Sequence, residues 1–600
     1  MNQGLGAYQD QTGTWQFSVW APNADTVSLV GAFNNWDENQ NPMQKNANGV
    51  WSTSLKKAKV GDQYKYHIVN QGKVYARMDP YARKVTSSVG NSVLSKPPIT
   101  STNPQFQAAD LNRLVIYELH IGTFGRRNRP CNSPATFKSS IPYLDELREL
   151  GVNAIEIMPI QEFAGGISWG YNPSNLFAVE SDYGSAQDFY DFVQAAHERG
   201  LAVILDVVYN HFGPTDLDLW QFDGWNENGK GGIYFYNDWR SNTPWGDTRP
   251  DYGRPEVRKF ILDNAMMWAR DYHIDGLRFD MCVFIRTVHG MPYDQGNSLS
   301  DGWLLMQDIN STAHSHNPRF ITISEDMQDN EWLTKTPGAG GAGFNAQWGA
   351  FFVHTLRDAL LELYDSNRNM HALGYALTQR FNGDAFERVI YTESHDEVAN
   401  GQARIPEDAS PGHADSWLGK RKSILGAGIV FTAPGIPMIF QGQEFLEDKW
   451  FQDTRPLDWG KLETHEGIWL AYRDLIHLRL NKTHKTAGLC GQNIQVFHID
   501  DTNKVIAFQR WDRGGIHDAV VVVANFANRT FPSYDIGLPN AGEWDVVFNG
   551  NSRDYDKSFD DFGTSALQTQ NISWDGYPYK GTVALAPYSL LILAFTNASQ

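Results

Sequence analysis

The sequence predicts an α/β protein in which a (β/α)8 TIM barrel is flanked by an N-terminal and a C-terminal β-sandwich domain. Residues 1–108 and 485–600 contain short alternating apolar runs between turn residues, a pattern typical of antiparallel sheets. In residues 109–484, eight strand-like apolar runs alternate with amphipathic helical segments. That alternation predicts a parallel sheet, and eight repeats predict its closure into a barrel.

The N-terminal domain is predicted from runs such as 15–20 and 63–69, in which apolar and polar residues alternate. The segment 27–37 ends one such strand in a polar turn that contains Trp36. An exposed tryptophan there would offer its ring to a sugar, whereas a buried one would belong to the core of the sandwich.

The barrel domain is predicted from its strands and helices. The eight predicted strands are 114–122, 153–160, 201–208, 274–281, 320–326, 342–349, 388–396 and 437–445. The predicted helices are 137–150, 185–200, 255–272, 302–317, 355–364, 417–431 and 466–480. Helix 185–200 has the clearest boundaries, because Ser185 suits the N-cap, Asp188 suits the first turn and Gly200 suits the end.

Two further stretches complete the domain organisation. A polar span at about 212–253 follows the third strand, and it is too long for an ordinary connection. We therefore expect a loop excursion over the carboxyl end of the barrel. After residue 485 the β pattern returns in runs 505–511, 519–526 and 582–595, and it predicts the C-terminal sandwich.

Length and composition restrict the possible functions. The chain has 600 residues, too many for one hydrophobic core, and a formal net charge of −19. This charge disfavours nucleic acid and anionic membranes as partners. Aromatic residues make up 13% of the chain, with 20 tryptophans. Aromatic rings stack on sugars, but a large aromatic core explains the same composition equally well.

The cysteines and the first residues indicate the compartment. Cys131, Cys282 and Cys490 are odd in number and far apart, which argues against a disulfide framework and against a zinc site. The first residues lack a basic region followed by an apolar run, and no apolar run reaches membrane-spanning length. We therefore expect a cytoplasmic protein.

The fourth predicted strand ends in an arginine and an aspartate that share one face. Residues two apart on a strand point the same way, so Gly276, Arg278 and Asp280 lie together. A neighbouring cation lowers the pKa of a carboxyl group, so we expect Arg278 to keep Asp280 ionised. This pair is either a structural ion pair or a nucleophile held in place.

Polar residues end several of the predicted strands, at the face where a barrel of this kind builds its active site. They follow the third, fourth, fifth and seventh strands and comprise Asp206, Asn210, His211, Arg278, Asp280, Ser324, Glu325, Asp326, Glu393, His395 and Asp396. Buried charges cost several kcal/mol each unless they are paired, so this convergence indicates function. Carboxylates on both sides of a bond are the equipment for glycosidic cleavage.

The same residue types occur in metal sites, but the sequence contains no His-x-x-x-His and no two-metal spacing. We therefore predict that catalysis needs neither a metal nor another cofactor. An isolated asparagine at a strand end, such as Asn210, more often makes a hydrogen bond than it binds a metal ion.

Four segments in these strands resemble the sequence regions of the α-amylase superfamily of retaining glycoside hydrolases and transglycosylases. They have the expected order along the chain and are 206–211, 275–280, 323–326 and 393–396. The resemblance implies that Asp280 is the nucleophile, Glu325 the general acid/base and Asp396 the stabiliser of the transition state.

The resemblance also implies residues that bind substrate. Arg278, His211 and His395 would hold the nucleophile and the sugar next to the cleaved bond. Asp206 would be mainly structural and would touch the far hydroxyls of that sugar, and Tyr171 would stack under its ring. The N-terminal segments 17–22 and 31–36 resemble the glycogen-binding β-module of branching and debranching enzymes.

Three activities remain open within this family. Segment 117–124 and the N-terminal module resemble both branching enzymes and the hydrolase that releases trehalose from maltooligosyltrehalose. Segments 33–36, 324–326 and 393–396 favour 1,4-α-glucan branching, the activity we expect first. Segments 210–214 and 243–247 favour the release of trehalose from maltooligosyltrehalose, and 435–444 is typical of α-amylase-like hydrolysis. The partner in each case is an α-glucan such as glycogen, amylose or a maltooligosaccharide.

A protein that binds glucan without catalysis is a fourth, distant alternative. Loss of one of the three catalytic carboxylates would favour it, but all three are present. The oligomeric state cannot be read from the sequence. Trp245, Trp303, Trp348 and Trp450 are candidate stacking surfaces, although we expect core packing for each of them.

Overall fold

The computed structural model describes residues 4–99, 106–125, 133–291, 295–515 and 517–597. Its N-terminal part consists of two packed antiparallel sheets, with strand orders β1-β2-β5-β4 and β3-β6-β7, and β8 pairs with β6. Alternate residues of one strand enter the core between the sheets, as Trp15, Phe17 and Val19 do. The strands are β1 (Gly6–Gln9), β2 (Trp15–Trp20), β3 (Thr26–Gly31), β4 (Gln44–Lys45), β5 (Val50–Leu55), β6 (Gln63–Asn70), β7 (Lys73–Arg77) and β8 (Ser92–Val93).

The central part is a closed barrel of eight parallel strands in the order β9-β10-β13-β14-β15-β16-β17-β18. Seven of them lie within their predicted runs, and β18 begins one residue before its run, so the predicted barrel is confirmed. An antiparallel hairpin of β11 and β12 follows the second barrel strand. The strands are β9 (Ile116–Leu119), β10 (Ala154–Ile157), β11 (Gln161–Phe163), β12 (Pro173–Val179), β13 (Ala202–Val207), β14 (Gly276–Phe279), β15 (Ile321–Ser324), β16 (Ala346–Trp348), β17 (Arg388–Ile390) and β18 (Ile436–Phe440).

The helices connect the barrel strands. They are α1 (Ile121–Phe124), α2 (Phe137–Ser140), α3 (Leu144–Leu150), α4 (Ala186–Glu198), α5 (Pro255–Asp271), α6 (Cys282–Arg286), α7 (Ser300–His316), α8 (Ala350–Leu361), α9 (Met370–Thr378), α10 (Ile405–Ala409), α11 (Trp417–Thr432), α12 (Gly460–Thr464) and α13 (Glu466–Arg479). Ser185 caps α4 by accepting a hydrogen bond from Asp188 N, as predicted. The predicted helix 137–150 is instead α2 and α3 joined by a 3-10 turn that contains Pro142, which lacks an N–H to donate.

The barrel strands divide their side chains between two apolar clusters. Alternate residues such as Ile116, Ile204 and Ile323 belong to the cluster that fills the barrel. Their neighbours along the strands, such as Tyr117 and Leu205, belong to the larger core between strands and helices. The interior series continues into polar residues toward the carboxyl ends of the strands, and this places the site described below.

The span 212–253 contains no α-helix or β-strand, and two 3-10 turns, Gly232–Tyr234 and Trp239–Ser241, interrupt it. It contacts the N-terminal sheets. Asp223 Oδ2 accepts hydrogen bonds from Asn23 N (2.9 Å) and Nδ2 (3.0 Å), and Asn70 Nδ2 donates to the Asp223 carbonyl (2.8 Å). Arg77 donates to the carbonyls of residues 220, 221 and 222. The N-terminal sheets therefore hold this long loop.

The C-terminal part is a six-stranded antiparallel sheet of order β19-β20-β21-β26-β23-β24, with a separate pair of β22 and β25. The strands are β19 (Asn493–Asp500), β20 (Val505–Trp511), β21 (Val520–Asn525), β22 (Phe531–Leu538), β23 (Glu543–Asn549), β24 (Ala566–Gln568), β25 (Tyr579–Leu585) and β26 (Ser589–Asn597). The predicted fold class is therefore confirmed. Among the described residues, no helix is long and apolar enough to cross a membrane.

Candidate active site

Arg278 is the centre of the polar cluster at the carboxyl end of the barrel. Its side chain is fully buried and its Nη1 lies 2.6 Å from Asp206 Oδ2 and 3.3 Å from Asp280 Oδ1. Its Nη2 lies 2.9 Å from Glu325 Oε2. The ends of β13, β14 and β15 thus bring three carboxyl groups to one guanidinium. The ring of Trp348 lies 4.2 Å from the guanidinium carbon and covers this cation from the β16 side.

Asp280 and Glu325 each receive a second hydrogen-bond donor. Asn210 Nδ2 donates to Asp280 Oδ2 (2.6 Å) and to the Asp280 carbonyl (2.8 Å). The backbone N–H of Met281 donates to Glu325 Oε2 (2.8 Å). Met281 has a φ of 38°, in the left-handed region, so the chain turns sharply after Asp280 to aim this N–H at Glu325. Both carboxyl groups are fixed by donors from neighbouring strands.

The pKa values of this pair differ from the sequence-based expectation. Burial raises the pKa of Asp280 well above its usual range, and the neighbouring Glu325 raises it further. Arg278 acts in the opposite direction, as expected, but its effect is the smaller one. Burial also raises the pKa of Glu325. Two buried carboxyl groups thus share one cation, and the ionised state of Asp280 stays a prediction.

His395 lies between two acids. Its Nδ1 is 2.5 Å from Glu118 Oε1 and its Nε2 is 3.3 Å from Asp396 Oδ2. Burial lowers the pKa of His395, but the carboxylates of Asp396 and Glu118 outweigh it and raise the pKa to about 10. The imidazole is thus a cation at neutral pH. Asp396 differs from the other carboxyl groups because its side chain is 51% exposed, at the open end of the site.

Tyr171, Asp206 and His211 form the opposite wall. The Tyr171 hydroxyl donates to Asp206 Oδ2 (2.5 Å), and the Tyr171 ring stacks on His395 with centroids 5.1 Å apart. His211 is hydrogen-bonded to Asn210 and, through Nε2, to the Tyr171 carbonyl (2.9 Å). Burial lowers the pKa of His211 to about 4, so this imidazole is neutral where His395 is charged. All eight predicted site residues therefore lie in one cluster.

The sequence analysis missed two acids of this cluster. Glu118 on β9 accepts hydrogen bonds from both the ring and the backbone N–H of His395. Glu156 on β10 is buried, neither of its oxygens has a partner, and burial raises its pKa well above the usual range. The alternation of β9 and β10 was a usable signal, because Glu118 and Glu156 each follow an interior residue by two positions.

The structure also places Asn210 and the candidate tryptophans. Asn210 uses its amide to hold Asp280, and no group of His, Cys, Asp and Glu among the described residues could hold a metal ion. Cys282 and Cys490 are free and buried, and Cys131 lies outside the described residues. Trp348 is buried, as expected, but Trp245 is 38% exposed and Trp450 is 42% exposed, so core packing was wrong for these two. Trp245 stacks on His211, with centroids 4.6 Å apart.

Three family models match the chain in the order of its domains. Carbohydrate-binding module 48 (isoamylase N-terminal domain) matches residues 4–82. The α-amylase catalytic domain matches residues 136–243, and the α-amylase C-terminal all-β domain matches residues 498–596.

Curated relatives match nearly the whole chain. A protein named 1,4-alpha-glucan branching enzyme from Oceanobacillus iheyensis is 31% identical over 90% of this chain and 86% of its own length. A protein of the same name from Cellvibrio japonicus is 30% identical over 96% of this chain and 79% of its own length.

Solved structures share the fold. A putative α-amylase from Salmonella typhimurium superposes with a TM-score of 0.73 at 22% identity and covers 99% of this chain and 100% of its own. A pullulanase from Anoxybacillus, solved with maltotetraose, gives 0.74 at 19% identity and covers 99% and 88%. Taken with the full-length relatives and the three matching domain models, the closed barrel between two β-domains identifies this chain as an enzyme of the α-amylase superfamily.

Proposed function

We propose that the protein is a retaining 1,4-α-glucan branching enzyme. The observation that carries this proposal is the pair of buried carboxyl groups, Asp280 and Glu325, that meet on opposite nitrogens of Arg278. Two such groups can attack and protonate one glycosidic bond. The relatives that match over most of the chain are named 1,4-alpha-glucan branching enzymes, which favours transfer to a sugar over transfer to water.

In the first step, Asp280 attacks the anomeric carbon of the donor glucan and forms a covalent ester. The bond from that carbon to O4 breaks, and O4 takes the proton of Glu325. Because burial raises the pKa of Glu325, its carboxyl group keeps a proton to higher pH than a free glutamic acid does. The step therefore uses a proton carried by Glu325, while Asp280 acts as the nucleophile.

In the second step, Glu325 removes the proton from a 6-hydroxyl of the acceptor glucan. The acceptor oxygen bonds to the anomeric carbon, and the ester to Asp280 breaks with retention of configuration. When water takes the place of the acceptor, the same step is hydrolysis. Branching and hydrolysis therefore use the same carboxyl groups and differ in what reaches the ester.

The remaining cluster supports charge and position. The cationic His395 and the half-exposed Asp396 would hold the hydroxyls of the sugar at the cleaved bond, and Asp396 would stabilise positive charge on its ring carbon. Neutral His211, bonded to Asn210 and to the Tyr171 carbonyl, would hold these two residues in position, and the Tyr171 ring, already stacked on His395, would lie under the sugar. Asp206 would orient Arg278 and Tyr171, to which it is bound.

We further propose domain boundaries at 108/109 and 484/485 and glucan binding by residues 1–108. Carbohydrate-binding module 48 matches there, and Trp36 is 41% exposed in the turn after β3. The substrate class we propose is a linear α-1,4-glucan such as amylose or the outer chains of glycogen.

The test is to incubate the protein with amylose and to follow two signals together: new reducing ends, and the anomeric proton of α-1,6 linkages by NMR. A branching enzyme raises the α-1,6 signal with few new reducing ends. Reducing ends without α-1,6 signal would contradict the proposal and indicate a hydrolase, for which maltooligosyltrehalose is the next substrate. The Asp280→Asn variant is the control, and neither signal should rise with it.

A further inference from the structure

A groove of about 800 Å³ lies between the end of α6, the first turn of α7 and the segment that follows β15. We call it the indole groove, and it is lined by Arg286, Trp303, Leu304, Asn330, Glu331 and Trp332. Leu304 and Trp332 are each 47% exposed. Large apolar side chains exposed together mark a surface that binds a partner or ligand.

The two indoles of the groove are held in place. Trp303 Nε1 donates to the Gly340 carbonyl (3.1 Å). The ammonium of Lys335 lies 3.9 Å from the ring of Trp332, and Lys335 is paired with Glu331 (2.5 Å). Fixing an aromatic ring before binding reduces the entropy that a ligand must give up. The two indole rings are therefore preorganised to bind a ligand.

The groove is formed by the connections that follow β14 and β15, the strands whose carboxyl ends carry Asp280 and Glu325. Arg286 forms two hydrogen bonds to Asp326 (2.7 and 2.8 Å), the residue directly after Glu325. The helix α6 that carries Arg286 begins two residues after Asp280, and Cys282 N donates to the Glu325 carbonyl (2.6 Å). The wall of the groove and the acid/base are thus parts of one connected unit.

Chemistry decides which part of a glucan would occupy this groove. The acid/base must touch the oxygen that leaves and later the oxygen that arrives, so leaving group and acceptor occupy its side of the bond. Part of the groove wall, residues 328–332, follows Glu325 in the connection after β15, and the groove is therefore assigned to that side of the bond. A glucan has apolar ring faces and hydroxyl edges, which match indoles flanked by Asn330 and Glu331.

We propose that the indole groove binds the acceptor α-glucan chain and so favours transfer to a sugar over transfer to water. This inference rests on the proposed branching activity and adds the place where the acceptor lies. A chain stacked on Trp303 and Trp332 raises the local concentration of hydroxyl groups near the covalent ester. Water gains nothing from these rings, so loss of a ring shifts the outcome toward hydrolysis.

The experiment compares Trp332→Ala with Trp574→Ala, a matched control in the C-terminal domain. Trp574 is 41% exposed and also has a lysine, Lys580, over its ring. With amylose, we expect the number of α-1,6 linkages per new reducing end to fall about fivefold in Trp332→Ala, as loss of one aromatic contact implies. Trp574→Ala should keep the wild-type ratio, and Trp332→Phe should restore part of the loss. An unchanged ratio in Trp332→Ala overturns the inference.

A second measurement separates this inference from the proposed function. If the wild-type protein forms no α-1,6 linkages, the proposed branching activity is wrong. A measurement of glucan affinity then tests whether the groove binds glucan. In an Asp280→Asn background, calorimetric titration with maltoheptaose should give an affinity about fivefold weaker for Trp332→Ala than for Trp574→Ala. Equal affinities overturn the groove as a glucan site, whichever reaction the enzyme performs.

Discussion

Asp275 and Asp280 lie at the two ends of the same short strand, β14, and their surroundings differ sharply. At the amino end, Asp275 Oδ2 accepts hydrogen bonds from His197 Nε2 (2.7 Å) and from Val203 N (2.8 Å). At the carboxyl end, Asp280 shares Arg278 with Asp206 and Glu325. Both aspartates are buried. They differ because Arg278, the partner of Asp280, also pairs with two other acids, whereas the two donors of Asp275 do not.

This difference separates a structural carboxylate from a reactive one. Asp275 has one donor from α4 and one from β13, and among the described residues neither is hydrogen-bonded to another acid. At the other end, one cation faces three carboxyl groups, and burial raises the pKa of Asp280 and of Glu325. A cluster with more acids than cations is costly to fold and ready to exchange protons. Residue type alone would not distinguish the two ends.

The largest expected effect comes from replacing each aspartate by asparagine. Asp280→Asn should lower the rate on amylose about a thousandfold or more, because the ester cannot form on an amide. Asp275→Asn should leave the rate within about threefold of wild type and should destabilise the fold by about 1 to 3 kcal/mol, as loss of a buried hydrogen bond to a charge does. Initial rates and denaturant unfolding measure the two effects. A large rate loss in Asp275→Asn would abolish the contrast between the ends.

A smaller effect is expected from Glu118 on β9, an acid that contacts His395. Glu118→Gln removes one of the two carboxylates that raise the pKa of His395 to about 10, so that pKa should fall. His395 would then lose its proton at lower pH, and the alkaline limb of the pH–rate profile should move down by about one unit. The control is Glu38→Gln, which removes the acid beside His67 in the N-terminal sheets. A profile that matches wild type would show that the charge on His395 is not needed.

The smallest effect concerns stability alone and tests a carboxyl group with no partner. The pKa of Glu156 is raised in the folded state from 4.5, so its contribution to stability is complete below pH 4.5 and is lost as pH rises. Glu156→Gln does not titrate, so its stability relative to wild type should rise with pH between 4.5 and the folded-state pKa of Glu156. Urea unfolding at pH 5 and pH 7 measures it. The exposed Glu149→Gln on α3 is the control, and a pH-independent difference would contradict the argument.

The sequence was most informative where its periodicity matched the barrel. Seven of the eight barrel strands fall inside their predicted runs and β18 begins one residue early, because each buried run is bounded by helix signals such as the Ser185 cap. Helix boundaries were less predictable. The predicted helix 355–364 omits residues 350–354, although α8 begins at Ala350 directly after the sixth barrel strand, and α9 was missed altogether. Short helices such as α9 depend on tertiary packing, which local patterns do not record.

The site residues were predictable as a set, but their electrostatics were not. Strand ends and motifs named Asp280, Glu325 and Asp396, since carboxyl ends of barrel strands converge. The net pKa of Asp280 depends on burial and on Glu325, which lies 45 residues further along the chain. Glu118 raises the pKa of His395, although the two residues are far apart in the sequence. Such balances follow from distances in three dimensions and have no local signature.

The contact between the N-terminal sheets and the long loop has a consequence for how this enzyme can change. Asn23, Asn70 and Arg77 hold the loop through Asp223 and three backbone carbonyls, and the same loop carries Trp245 onto His211. The N-terminal domain thus supports a loop of the active site, and it does so even when the substrate is too short to contact that domain. An unrelated β-domain could not be exchanged for it without refitting residues 212–253. A substitution at one side of this contact therefore requires a matching substitution at the other side.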